Sequence, residues 1–320
     1  MNIALIGFGN VGRAFARLLE KQKATYPFRI VAIHTARQGT AYNLRGLAQE
    51  PMFGPAADTI EQFLDKAQAE VAVEITSLNP SSGEPAISHI RAAFARGIHV
   101  ITANKGPIAV AYQTLAKQAA ERQLLFRFES TVMDGTPVFS LVRQNLPGVK
   151  ILGFSGVFNS TTQVVLSEMR KGRTIEEGIR VAQQLGIAEA DASFDIDGWD
   201  SASKTAALAN VLMNAAMTPL QVDRKGIGKM TPERLAEIES TDKTVALVAR
   251  ARTTKDGIRL RVRAEVLDKT DPLACLKGTS NLLQLETDLM GTLGIVEMNP
   301  TVEQTAYGIF SDLVDIAKSI

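Results

Sequence analysis

The chain has little sulfur and little histidine: one cysteine, Cys275, and three histidines, His34, His89 and His99, in 320 residues. A lone thiol excludes an intramolecular disulfide and a cysteine-rich zinc site, and it fits a reducing compartment. The histidines stand far apart in sequence with no metal-ligand spacing between any two, so they and Cys275 read as structural. No apolar run approaches the roughly 18–20 residues that a membrane-spanning helix needs. No cleavable leader precedes the first apolar strand, so the expected setting is cytoplasmic, without a membrane partner. Neither sign of charge dominates, with 35 Lys plus Arg against 34 Asp plus Glu and a net charge of +1. Such a balance gives no field that would draw nucleic acid or an anionic surface. Internal repeats and low-complexity linkers are also missing.

The length suits roughly two domains of about 150 residues each. The chain opens on Asn2–Ile6, a nearly all-apolar run of the kind buried on both faces of a parallel sheet. It runs directly into Gly7-Phe8-Gly9-Asn10-Val11-Gly12, and then into a helical pattern over Arg13–Glu20. Strand, glycines at first, third and sixth positions, then helix is the dinucleotide-binding arrangement. Gly7 makes the tight turn, Gly9 admits a pyrophosphate to the backbone, and Gly12 lets helix and strand pack closely. The helix N-terminus offers unpaired N–H groups to the phosphates. A second strand over 28–33 ends in His34-Thr35-Ala36-Arg37 with no Asp or Glu for a ribose hydroxyl. Thr35 and Arg37 instead suit a 2′-phosphate, so NADP is expected over NAD.

Strands over 71–76, 97–102 and 124–128 alternate with helices over 86–96 and 109–122. That pattern predicts a doubly wound, Rossmann-type parallel sheet with its ligand at the carboxyl ends of the strands. The loops that start at Ser77 and at Asn104-Lys105 fall on that edge, and Lys105, before Gly106-Pro107, reads as loop-borne. Further on, 245–253, 258–266 and 281–287 read as strands of an antiparallel sheet, the kind that pairs across a dimer axis. Thr231-Pro232 reads as the cap and first residue of a short helix.

Gly7–Gly12, Ile101-Thr-Ala-Asn-Lys105, Glu129-Ser-Thr-Val132 with Gly135-x-Pro137, and the acidic stretch Glu189 to Lys204 together resemble homoserine dehydrogenase, in that family's order and over nearly the whole chain. The resemblance implies a dinucleotide-binding domain over 1–130, a catalytic and dimerisation region of α+β build with a mixed or antiparallel sheet over 131–302, and a C-terminal helix over 303–320 returning to the first domain. It implies interconversion of L-homoserine and L-aspartate 4-semialdehyde with a nicotinamide cofactor by a homodimer, in threonine and methionine biosynthesis. Lys105 and Lys204 correspond to residues flanking the reacting oxygen, and Asp200 to their catalytic partner. Glu189, Asp195, Ser160 and Thr161 correspond to substrate contacts. Ser77, Asn104 and Lys105 join the glycine loop, Thr35 and Arg37 as cofactor contacts. The family's sodium site, built largely from backbone carbonyls, maps to Glu129, Val132, Asp134 and Thr136. The chain departs from the family where Met133 and Asp134 stand among usual glycines, and where Ser160 replaces a glycine.

The residues themselves point the same way. Oxidising an alcohol requires the hydroxyl proton to leave as hydride departs, and a positioned lysine can take it or return it. Asp200 and Lys204 stand four apart on a predicted helix and so share a face. The alternative is an ordinary surface ion pair, but the flanking Ala202, Ala206, Ala207, Leu208 and Val211 describe a buried helix. A substrate ammonium group needs carboxylates such as Glu189 and Asp195; a solvated acidic loop is the other reading of that stretch. Two further functions stay open at this point: a dehydrogenase of the same build acting on another hydroxy- or amino-acid, and an NADP-binding sensor without turnover.

Overall fold

Four of the five residues of β1 (Asn2–Ile6) are buried, as a strand covered on both faces requires. The computed structural model describes Met1–Ile320. It places β1 inside a sheet built with α1 (Asn10–Gln22), β2 (Arg29–Thr35), β3 (Gly39–Tyr42), α2 (Ile60–Ala67), β4 (Val71–Glu74), α3 (Ala86–Ala95), β5 (His99–Thr102), α4 (Lys105–Glu121) and β6 (Phe126–Arg127). Strand order is β3-β2-β1-β4-β5-β6, parallel throughout except for the β2–β3 hairpin. The order reverses direction at β1, so the switch point lies where β1 and β4 end. Gly7, Ile75–Ser77 and Asn104-Lys105 all follow carboxyl ends of strands there.

The next segment carries β7 (Ile151–Val157), α5 (Ser160–Met169), α6 (Ile175–Gln184), α7 (Ser193–Ile196), α8 (Trp199–Leu212), β8 (Asp223–Lys225), α9 (Pro232–Glu239), β9 (Lys243–Thr254), β10 (Gly257–Asp268), β11 (Asn281–Thr287) and β12 (Thr292–Glu297). Its sheet runs β12-β11-β7-β9-β10-β8, antiparallel but for the β8–β10 pair. Alanines 202, 206, 207 and 209 are all buried, which lets α8 lie close against β9 and β10. Thr231 caps α9 by accepting from the Arg234 N–H, with Pro232 in the first turn, as the sequence predicts. Both sheets are mixed, which agrees with the expected α/β class.

The final helix, α10 (Val302–Ser319), belongs to the first sheet's unit. The chain divides into Met1–Asn145 with Thr301–Ile320, and Leu146–Pro300. Ala306, Ile309, Phe310, Leu313 and Ile316 of α10 share one core with Ile3, Leu5, Phe15 and Leu19. Fully burying a side chain of this size contributes about 1.5–3 kcal/mol. Tyr26 meets Phe310 edge-on with ring centroids 5.3 Å apart.

A buried carboxylate pair ties α10 to residues 129–140. The Glu129 N–H donates to Asp312 Oδ2 at 2.8 Å. The Glu129 carboxylate in turn accepts from the N–H groups of Val138, Phe139 and Ser140 at 2.7–2.8 Å. Burial, and then the nearby Glu129 charge, push the Asp312 carboxyl well above its ordinary range. The folded chain therefore holds a proton that the unfolded chain releases as pH rises past the ordinary carboxylate range. Asp312 thus costs stability above that range and nothing once both states are protonated. Asp312→Asn should melt higher than the native chain at pH 7–8, by about 2–4 °C per kcal/mol recovered. The gap should close near pH 3 in thermal melts followed by circular dichroism. A variant that melts lower at pH 7 contradicts this account.

Candidate active site

In the unit Leu146–Pro300, one polar cluster joins α5, α7 and α8. Asp200 and Lys204, one helical turn apart on α8, form an ion pair with Nζ to Oδ2 at 2.9 Å and side chains only 10% and 19% exposed. The Lys204 ammonium also donates to the Phe158 carbonyl at 2.7 Å, which fixes where its charge sits. Asn159 connects this pair to the third carboxylate: its Nδ2 donates to Asp200 Oδ2 at 2.9 Å and to Asp195 Oδ1 at 2.6 Å. Its Oδ1 accepts from the Thr162 N–H at 2.8 Å and so caps α5. Thr161, buried in the first turn of α5, hydrogen-bonds Asp195 as well. Burial, and then the adjacent Asp200 charge, raise the Asp195 carboxyl above its ordinary range, against the opposing pull of Asn159, Thr161 and Lys204. Two carboxylates and one ammonium out of bulk water leave net negative charge, the electrostatics that suit an added cation.

The acidic stretch divides between this cluster and solvent. Glu189 is exposed ahead of α7, with its backbone carbonyl accepting from Gln183 Nε2 at 3.0 Å. Asp191 is exposed and binds the Ser193 N–H at 2.9 Å, and Asp197 is exposed. Ser160, at the start of α5, donates to the Thr279 carbonyl at 3.2 Å. Trp199 lies half-buried under the Arg224 guanidinium, 3.8 Å from the ring centroid. Asn159 is the site residue that sequence reasoning missed. An Asn closing a strand before Ser-Thr-Thr signals a helix cap, but its amide nitrogen carries the second role, and spacing does not reveal that.

The other unit holds the dinucleotide features. Gly7 has φ +104°, and a Cβ there would lie 2.5 Å from the Ile75 carbonyl oxygen, so only glycine makes this turn. A Cβ at Gly9 would meet nothing within 4 Å. The first turn of α1 has no acidic residue, and Gly9 offers no side-chain cap. Open space before unclaimed N–H groups fits the pyrophosphate of a nicotinamide cofactor. Phe8 is buried beneath Arg13, 5.0 Å from its ring centroid; Asn10 is exposed and Val11 half-buried. At the end of β2 the Thr35 hydroxyl accepts from the Gln38 N–H at 2.8 Å and donates to the Gly39 carbonyl, so the turn uses it. Arg37 and Ser77 are exposed.

Lys105 is the first residue of α4 and does not sit on a loop, in contrast to the sequence expectation. Asn104 accounts for the difference: its Oδ1 accepts from the Gly106 N–H at 3.0 Å and starts the helix one turn early. Pro107 is tolerated in a first turn whose N–H groups have no intrahelical partner anyway.

The positions expected to hold sodium form a tight turn, where Met133 and Asp134 have φ +55° and +52°. The Glu129 carboxylate is committed to three backbone N–H groups, and Asp134 accepts from the Thr305 hydroxyl at 2.9 Å. No group of three or more His, Cys, Asp or Glu side chains could hold a metal ion. These side chains do not fit a cation, and of the carbonyls of residues 129, 132, 134 and 136 that of Thr136 already accepts from the Val138 N–H at 2.8 Å.

Residues 7–129 match the family description "Homoserine dehydrogenase, NAD binding domain", and residues 137–314 match "Homoserine dehydrogenase". The chain belongs to the homoserine dehydrogenase family. It is similar to the homoserine dehydrogenase of Methanocaldococcus jannaschii, 34% identical with 100% of this chain and 99% of the other covered. It is also 32% identical to the NAD(+)-dependent homoserine dehydrogenase of Pseudomonas canavaninivorans, covering 99% and 96%. A hyperthermophilic archaeal homoserine dehydrogenase in complex with NADPH superposes with a TM-score of 0.84 at 27% identity, covering 100% and 98%. The activity of a homoserine dehydrogenase is that of an NAD(P)-dependent oxidoreductase acting on a CH–OH group, with a small-molecule substrate. No helix is long and apolar enough to cross a membrane.

The two glycines predict opposite outcomes. Gly7→Ala should melt lower than the native chain, by about 1 kcal/mol or more of backbone strain. Gly9→Ala should melt as the native chain does and yet weaken NADPH, read by fluorescence titration, about tenfold or more. Unaltered NADPH affinity in Gly9→Ala removes the phosphate reading.

Proposed function

We propose that this homoserine dehydrogenase moves the substrate hydroxyl proton through Lys204, with Asp200 holding that lysine and Lys105 serving as the second lysine of the reaction. The observation that carries this reading is the Asp200–Lys204 pair at 2.9 Å, kept from bulk water beside Asp195 and bridged by Asn159. When bound, the nicotinamide ring supplies the hydride acceptor or donor. The chain's own residues do the remainder. In reduction of the aldehyde, a lysine ammonium donates to the carbonyl oxygen as negative charge develops there. In oxidation the same nitrogen, as the neutral amine, removes the hydroxyl proton. Asp200 orients the nitrogen and offsets its charge. Asp195, with Glu189, binds the substrate ammonium, and Thr161 and Ser160 bound the substrate on the α5 side.

Several finer features belong to the same proposal. NADP is preferred over NAD, supported by the missing acid at the end of β2 and by the exposed Arg37. Among the relatives one is NAD(+)-dependent and another is in complex with NADPH, so the choice rests with local residues. Thr35, Ser77, Asn104 and the loop Gly7–Gly12 complete the cofactor contacts. A sodium ion, if held, takes the backbone carbonyls of 129, 132, 134 and 136, and no step of the reaction is assigned to it. The catalytic region ends near residue 302, the enzyme works in the cytoplasm as a homodimer, and it serves threonine and methionine biosynthesis.

Lys204→Met and Lys105→Met should each lower kcat for homoserine oxidation by about 10²–10⁴-fold, the ordinary worth of a positioned acid or base. The KM for homoserine should change far less. A Lys204→Met enzyme that retains native kcat sinks the assignment. The second arm concerns the cofactor: Arg37→Ala should raise the KM for NADP about tenfold or more, as loss of a charged phosphate contact does. The KM for NAD should stay put. Equal effects on both cofactors make Arg37 a bystander.

A further inference from the structure

Glu74 closes β4 and is only 1% exposed, which is costly for a carboxylate unless donors surround it. They come from two loops. From the β4–α3 loop, the Thr76 N–H donates to Oε1 at 3.1 Å, and the Thr76 hydroxyl donates to the same oxygen. From the end of β5, the Thr102 hydroxyl lies 3.0 Å from both Oε2 and the Glu74 carbonyl. Thr102, 0% exposed, then accepts from the Asn104 N–H at 3.0 Å. Asn104 closes the circuit: its Nδ2 reaches the Thr76 and Ser77 carbonyls at 3.3 and 3.4 Å, and its Oδ1 caps α4 through Gly106. His89 of α3 stands behind the carboxylate, with Nδ1 at 3.7 Å from Oε1.

We propose that Glu74 is a positioning residue that sets, through Thr76 and Thr102, both the Ser77 loop offered to the cofactor and the Asn104 cap from which Lys105 begins. The part that concerns Lys105 rests on the reading that this lysine takes part in the reaction, and the part that concerns the cofactor rests on the separate reading of Ser77 and Asn104 as cofactor contacts. One buried side chain thereby holds two strand-end loops in register, and each loop carries a different element of the site. A shared anchor makes its two arms interdependent, since cutting either one leaves the other attached to a carboxylate that has lost its place.

Thr102→Val removes one hydroxyl without changing shape, and Thr76→Val, on a half-exposed loop, removes the other hydroxyl while the Thr76 N–H stays on Oε1. Each should weaken NADPH about tenfold, read by fluorescence titration on the full-length chain, and lower kcat by at least that factor. Thr102→Ser, which keeps the hydroxyl, should recover to within about threefold of native. The double variant should be no worse than the more severe single one. The proposal is overturned if both valine variants bind NADPH and turn over as the native enzyme does. It is equally overturned if the double variant shows the product of the two single effects, because the hydroxyls then act separately. If Thr102→Val does not fold, Thr76→Val decides through NADPH affinity. Should Lys105→Met retain native kcat, the lysine reading fails while the NADPH titrations continue to test Glu74.

Discussion

A carboxylate withdrawn from water must be met by donors, and this requirement organises both units. Glu74, Glu129, Asp200 and Asp312 are all buried. Glu74 gathers two strand-end loops, and Glu129 gathers three consecutive backbone N–H groups. Asp200 gathers an ammonium and an amide; Asp312, which receives the Glu129 N–H, answers the same requirement by keeping its proton instead. Charged hydrogen bonds of this kind are roughly twice as strong as neutral ones, and leaving one unmet is what makes them specific. The positions of site residues follow from these requirements more than from local helix or strand preference.

The Asp195–Asn159–Asp200–Lys204 chain shows how such requirements become chemistry. Asn159 must cap α5, so its oxygen is committed and its nitrogen faces outward to two carboxylates. Its nitrogen holds Asp195 and Asp200 close together, and burial first, then the Asp200 charge, make Asp195 resist losing its proton. On the proposed reading an incoming ammonium group relieves that repulsion, so that binding a cation and settling the carboxylates become one event.

The first sheet was legible because β1, β2, β4 and β5 are buried runs separated by amphipathic helices, a pattern that needs no tertiary information. Gly7 and Gly12 were legible because each answers a requirement of close packing at the strand–helix turn. The hairpin strand β3 and helix α2 were not, since Gly39–Tyr42 and Ile60–Ala67 are too short to show a period. Lys105 was placed on a loop because Gly106-Pro107 reads as a breaker, whereas the Asn104 side chain decides otherwise. In the acidic stretch, spacing separated Asp200 and Lys204 correctly onto one face. Which of the remaining carboxylates turns inward depends on Asn159, 36 residues before Asp195 and invisible to periodicity.

Helix α10 completes a core whose other half comes from residues translated long before it, Ile3, Leu5 and Phe15. Everything from Leu146 to Pro300 is synthesised between these two halves. The inserted unit can therefore mature on the ribosome while the apolar face of α1 still waits for its cover. This order of assembly leaves the nascent amino-terminal sheet as the part that calls for chaperone protection.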